Sequence, residues 1–106
     1  MYILDWSDNA VDEYLETLEY WELRNGTNTY SLKIMKEIDK VSAEITADPI
    51  SLSYYIPTYK VYRKSLLKGK FYLFYMIEGK VIHILHFRSV KQAPLYERYE
   101  QKNKIT

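Results

Sequence analysis

Residues 60–87 read KVYRKSLLKGKFYLFYMIEGKVIHILHF, and this stretch decides the fold. Three runs, Lys60 to Leu67, Lys70 to Ile77 and Lys80 to Phe87, are rich in the β-branched and aromatic residues that suit a pleated, half-buried surface. Lys68-Gly69 and Glu78-Gly79 separate them with tight-turn chemistry, so they read as an antiparallel meander. If Lys68-Gly69 is a two-residue loop, Leu67 faces Lys70, Ser65 faces Tyr72 and Arg63 faces Phe74. Arg63, Ser65 and Tyr72 then share one face, while Tyr62, Lys64 and Leu66 share the other with Phe71, Leu73 and Tyr75. The cleaner apolar row marks the second face as the one helices cover, with Lys64 snorkelling near an edge. Which face His86 and Arg88 join depends on whether the Glu78-Gly79 turn holds two residues or three, because a one-residue slip exchanges the faces of a strand.

Upstream, Tyr2, Leu4 and Trp6 alternate as a short strand ending at Ser7 or Asp8, either a competent N-cap. Val11, Leu15, Leu18 and either Trp21 or Glu22 then trace a helical stripe with Tyr14 beside it, stopped by Asn25-Gly26. A second helix, capped within Thr27 to Thr29, places Tyr30, Ile34, Ile38, Val41 and Ile45 on one face and ends at Asp48-Pro49. Two helices joined by few residues pack as an antiparallel hairpin. Residues 50–59 have no clean period and contain Pro57, so they read as a surface crossing with aromatic anchors. Beyond Arg88 the chain turns polar, and Pro94, Tyr96 and Tyr99 can anchor a last short helix. The expectation is one α+β domain over residues 1–106, ordered β-α-α-β-β-β, with the helical hairpin on a twisted antiparallel sheet.

The composition narrows the chemistry. With 106 residues, 27% charged and 47% apolar, the chain suits one compact core. It has no cysteine, which excludes disulfides, thiolate metal sites and a cysteine nucleophile. Three glycines leave no glycine-rich phosphate loop. No apolar run approaches the roughly 18 residues of a membrane span, and Met1 to Trp6 lacks the basic and long apolar regions of a signal peptide, so a cytoplasmic protein without membrane contact is expected.

Charge is divided along the chain: residues 1–50 hold four basic and eleven acidic side chains, residues 51–106 eleven basic and three acidic. Most of the positive excess falls between Lys60 and Lys91, as on a surface that meets something anionic. His83 and His86, three apart on a strand, point to opposite faces, which is wrong for joint metal ligation, so no metal or cofactor is expected. His86 and Arg88, two apart, can share one phosphate. Arg63 either faces a concavity or pairs with an acid on a neighbouring loop. The acids Asp12, Glu13, Glu16, Glu19 and Glu22 follow the spacing of a solvated helix face. Tyr72, Phe74 and Tyr96 could offer stacking surfaces near the cations.

The order and spacing of Tyr2-x-Leu4-x-Trp6-Ser7-x-x-Ala10, the Asp48-Pro49 stop, Val61-Tyr62-Arg63-Lys64-Ser65-Leu66, the Lys68-Gly69 turn, Phe71 to Tyr75 and Val81 to Phe87 resemble the RelE/ParE superfamily of type II toxin-antitoxin toxins, the plasmid-stabilisation group. The likeness covers nearly all of residues 2–96. It implies a growth-inhibiting toxin neutralised by a cognate antitoxin in a hetero-oligomer. RelE-like members are metal-independent mRNA endonucleases acting on the ribosome; ParE-like members inhibit DNA gyrase. Arg63 falls where the nuclease branch carries a basic residue, but Tyr72 falls where it carries its catalytic arginine, which favours the ParE-like reading. A nuclease would need Arg63, Arg88, Lys91 and Tyr96 as its catalytic set. Lys64, Lys68, Tyr72 and His86 are the expected target contacts in either case. A degenerate member that keeps the fold and has lost toxicity is the third reading.

Overall fold

A computed structural model describes residues 1–90. In chain order it contains β1 (Ile3–Trp6), α1 (Asp8–Asn25), α2 (Thr29–Ala47), β2 (Tyr54–Ile56), β3 (Val61–Leu66), β4 (Phe71–Glu78) and β5 (Val81–Ser89). The strands form one sheet in the order β1-β5-β4-β3-β2, with the helical hairpin over one face. The expected last helix, Lys91 and Tyr96 lie outside the described residues. Among the described residues no helix is long and apolar enough to cross a membrane.

The meander has the expected register: Ser65 opposes Tyr72 and Arg63 opposes Phe74. Its first turn is wider than two residues, with Leu67, Lys68 and Gly69 all at positive φ. The Leu67 N–H donates to Glu37 Oε2 on α2 at 2.7 Å, so a helix side chain satisfies the turn.

Two features depart from the expected architecture. The segment read as a surface crossing contributes β2, whose three residues, too few to display a period, pair antiparallel with Val61–Arg63. The sheet is also mixed rather than wholly antiparallel, because β1 lies parallel to β5, with Ile3 beside Val81 and Trp6 beside Ile84. The hairpin of helices carries the chain from β1 over the sheet, and the meander returns β5 in the same direction beside it.

α2 buries the stripe its spacing indicated: Ile34, Ile38, Val41 and Ile45 pack with Leu66, Phe71, Leu73, Tyr75, Ile82, Ile84 and Phe87. α1 is rotated from the expected stripe. Leu18 and Trp21 pack against the core as expected, but Val11 and Leu15 are exposed, and Ala10 and Tyr14 face inward in their place. Ala10, fully buried, allows close approach, and the Tyr14 ring meets Phe87 edge-on at 5.4 Å and Trp6 at 5.6 Å. Aromatic area bound in this way outweighs the smaller gain from Val11 and Leu15.

Ser7 begins α1 as expected. Its Oγ accepts from the Ala10 N–H at 3.0 Å and donates to the Leu85 carbonyl at 3.3 Å, tying the helix start to β5. Ser7→Ala is expected to lower stability by about 1 kcal/mol, the usual loss for an N-cap, read from urea unfolding. Gly26 closes the helix in the left-handed region at φ 68°.

Candidate functional site

The site is built on the sheet face opposite the helices. The turn between β4 and β5 is tight, with Glu78 opposing Val81, so an unbroken ladder would set Phe74 against Leu85 and bury His86 beneath the helices. An irregularity between Phe74 and Tyr75 changes this: Tyr75 opposes Ile84, but Phe74 opposes His86, leaving Leu85 as an extra residue. Such a bulge exchanges the faces of every residue beyond it. His86 and Arg88 therefore join Arg63, Ser65 and Tyr72. The same shift overturns the expectation for the histidines: His83, opposite Met76, and His86, opposite Phe74, share one face. They have separate partners. His83 has its ring nitrogens 3.2 Å from Asp5 and 3.4 Å from Glu78, whereas His86 Nδ1 is 3.0 Å from both Glu13 Oε1 and Asn9 Nδ2. Among the described residues no group of three or more His, Asp or Glu side chains could hold a metal ion.

Arg63 lies on the far face of β3, between β4 and β2. Its guanidinium lies 4.7 Å from the Tyr72 ring centroid and 5.1 Å from that of Tyr54, on the adjacent strand β2. No acidic partner is found among the described residues, so the expected alternative of an ion pair with a neighbouring loop is not what holds it. Two rings flank a cation that no carboxylate of the described residues compensates. β2 supplies one of those rings.

Arg88 lies two strands away on the same face in a different state. It is 4% exposed, and its guanidinium donates to Glu13 Oε2 at 2.9 Å. The other carboxylate oxygen, Oε1, accepts from the Phe87 backbone N–H at 3.3 Å and from Asn9 Nδ2 at 3.3 Å, with His86 Nδ1 beside it. β1 ends at Trp6, so the later half of β5 has no neighbouring strand there, and the carboxylate reaching down from α1 takes its place. Burial by itself would raise the Glu13 pKa. Hydrogen bonds from His86 and Arg88, the His86 charge and the Phe87 N–H outweigh it and hold the group below its ordinary value of 4.5.

A carboxylate depressed in the folded state contributes stability that is present above its ordinary pKa and is lost as pH falls through the folded value. The urea midpoint of the wild type should therefore fall steeply below about pH 4.5. Glu13→Gln should flatten that part of the profile, and an unchanged slope would mean that other carboxylates carry the acid sensitivity.

The remaining expected residues divide. Tyr72 belongs to the Arg63 stack and Lys68 is exposed at the turn. Lys64 does not join them: it is 7% exposed on the helix-covered face, its Nζ 3.8 Å from Glu44 on α2, and it cannot reach a partner bound beside Arg63. Glu13 was counted with the solvated acids because sequence spacing places α1 only by its Val11–Leu15 stripe. The signal available was its position three residues after Ala10 and next to Tyr14, at the margin of the buried face.

Strand, helical hairpin and meander define an α+β fold. This chain has the fold of a chain in the structure titled "Chromosomal ParDE TA system from P. aeruginosa", with a TM-score of 0.69, 19% identity, and coverage of 86% of this chain and 98% of that one. No family model and no curated protein sequence matches.

Proposed function

We propose that this chain is the toxin of a type II toxin-antitoxin module that acts by binding its target, as ParE-like toxins bind DNA gyrase. The observation that carries the reading is Arg63, stacked between Tyr54 and Tyr72 with no acidic partner among the described residues, on a fold shared with a chain of a ParDE system. A guanidinium flanked by two rings and paired with no carboxylate of the described residues suits a carboxylate or phosphate of a macromolecular partner. Lys68 adds charge at the adjoining turn. The antitoxin would neutralise the protein by covering Arg63 with an acidic segment.

The nuclease alternative needs several cations around one phosphate. Tyr72 stands where that branch carries arginine, and Arg88 is engaged by Glu13. RNA cleavage would require Arg88 to leave that carboxylate, or Lys91 to replace it with Tyr96 alongside. The test is induction of the chain alone in a bacterial host, followed by supercoiling and message-cleavage assays with purified protein. Growth arrest with slowed gyrase supercoiling and intact ribosome-bound message is expected. Cuts within codons would assign the nuclease activity instead, and undisturbed growth would mark a member that has lost toxicity.

A further inference from the structure

The outer side of the helical hairpin carries its charges in two separate rows. On α1 the exposed acids Asp12, Glu16 and Glu19 follow one another at spacings of four and three residues. On α2 the exposed lysines Lys40, Lys36 and Lys33, read backwards, repeat those spacings. Each row is a cost within its own helix, because like charges three and four residues apart repel. None of the six has an ion-pair partner among the described residues. Of the acids on α2, Glu37 accepts the Leu67 N–H and Glu44 stands 3.8 Å from Lys64, both on the side of β3. Asp39 is exposed on the outer side and leaves α2 net basic there.

The Ser31 hydroxyl donates to Glu22 at 2.9 Å across the hairpin, and so marks the flank of each helix that faces the other. Val11 and Leu15 recur on the Glu22 flank of α1 and Met35 on the Ser31 flank of α2, all three exposed, as an apolar seam between the rows. The same hydrogen bond fixes the level at which the antiparallel helices pass. Counted from it, Glu19 comes within one residue, about 1.5 Å, of the height of Lys33, as Glu16 does of Lys36 and Asp12 of Lys40.

Two-fold symmetry makes use of that match. An axis along the seam, parallel to the helices, preserves height and lays α1 of one copy antiparallel on α2 of the other, so three acids meet three lysines on each side of a shared apolar seam. An axis across the helices would set α1 on α1, acid against acid, which the charges forbid. We propose that the outer face of the helical hairpin is a self-complementary interface that binds a second copy of this chain as an antiparallel four-helix contact. The inference does not depend on the toxin reading: a growth-arresting monomer sinks the dimer alone, and a harmless dimer sinks the toxin alone.

Sedimentation equilibrium of the full chain measures the association. A reversible dimer at the weak, micromolar end of the range for protein interfaces is expected, weakening as salt rises. Glu16→Lys and Lys36→Glu should each weaken it at least about tenfold, since the two-fold axis turns two attractive pairs repulsive at once. Mixed in equal amounts, the two variants should associate about as tightly as the wild type, because in the mixed dimer both pairs again have opposite signs. Leu15→Asn removes apolar area from the seam and no charge; it should also weaken the dimer about tenfold, and urea unfolding of every variant shows that the fold is kept. A wild-type protein that stays monomeric to about 0.5 mM would overturn the proposal. So would variants that associate like the wild type, or no gain on mixing. Tighter association of Glu16→Lys alone would mean that α1 packs on α1, and loss of association in Arg63→Ala would put the contact on the far face of the sheet; either result refutes the interface.

Discussion

Glu13→Ala lowers the unfolding free energy by about 3 kcal/mol, the loss expected when one partner of a buried ion pair is removed and the other charge is left behind. The residue left behind is Arg88, itself 4% exposed, which loses its 2.9 Å contact with Glu13 Oε2. The same truncation removes the acceptor of the Phe87 N–H at the edge of β5. Arg88→Ala is expected to destabilise as well. Pairing Glu13→Leu with Arg88→Met should recover much of the loss, because both members of the buried ion pair are then replaced by apolar side chains. Urea unfolding of the two single variants and the double variant is the measurement. Strictly additive losses would mean that the two side chains do not depend on each other.

If the chain acts as the proposed toxin, Arg63→Ala is expected to lower its potency in growth inhibition at least about tenfold, while unfolding changes by about 1 kcal/mol or less. The stability term is small because a half-exposed cation over aromatic rings is worth about 0.5–1 kcal/mol. The activity term is large because a guanidinium held by two rings has already lost the freedom that binding would otherwise remove. Arg63→Lys should not restore potency, since an ammonium cannot present a planar fork between two rings. Tyr72→Phe should leave most of it, because the ring face rather than the hydroxyl braces the cation. Growth curves under induced expression read the first quantity and thermal unfolding the second. An Arg63→Ala protein that is folded and fully toxic would place the target contact elsewhere, and one that fails to fold would make Arg63 a structural residue.

The place of Arg63 beside Tyr72 was readable from the chain because alternation within β3 and β4 needs only neighbouring residues. The same is true of α2, where Ile34, Ile38, Val41 and Ile45 repeat at helical spacing without competition. α1 was harder, since Val11–Leu15 and Ala10–Tyr14 offered two stripes about a hundred degrees apart. The choice between them was made by Phe87 and Trp6, which lie far away in sequence.

What the sequence determined by itself is the identity and order of the elements that carry strong periodicity, and the β3–β4 register that puts Arg63 beside Tyr72. Tertiary structure alone decided the parallel seat of β1, the addition of β2 with its Tyr54 ring, the bulge at Leu85 and the burial of Glu13 against Arg88. The reason is physical: periodicity reports which face of one element is apolar. A parallel edge, a three-residue strand, a one-residue slip and a charge pair 75 positions apart are settled by the competition of several elements for the same space.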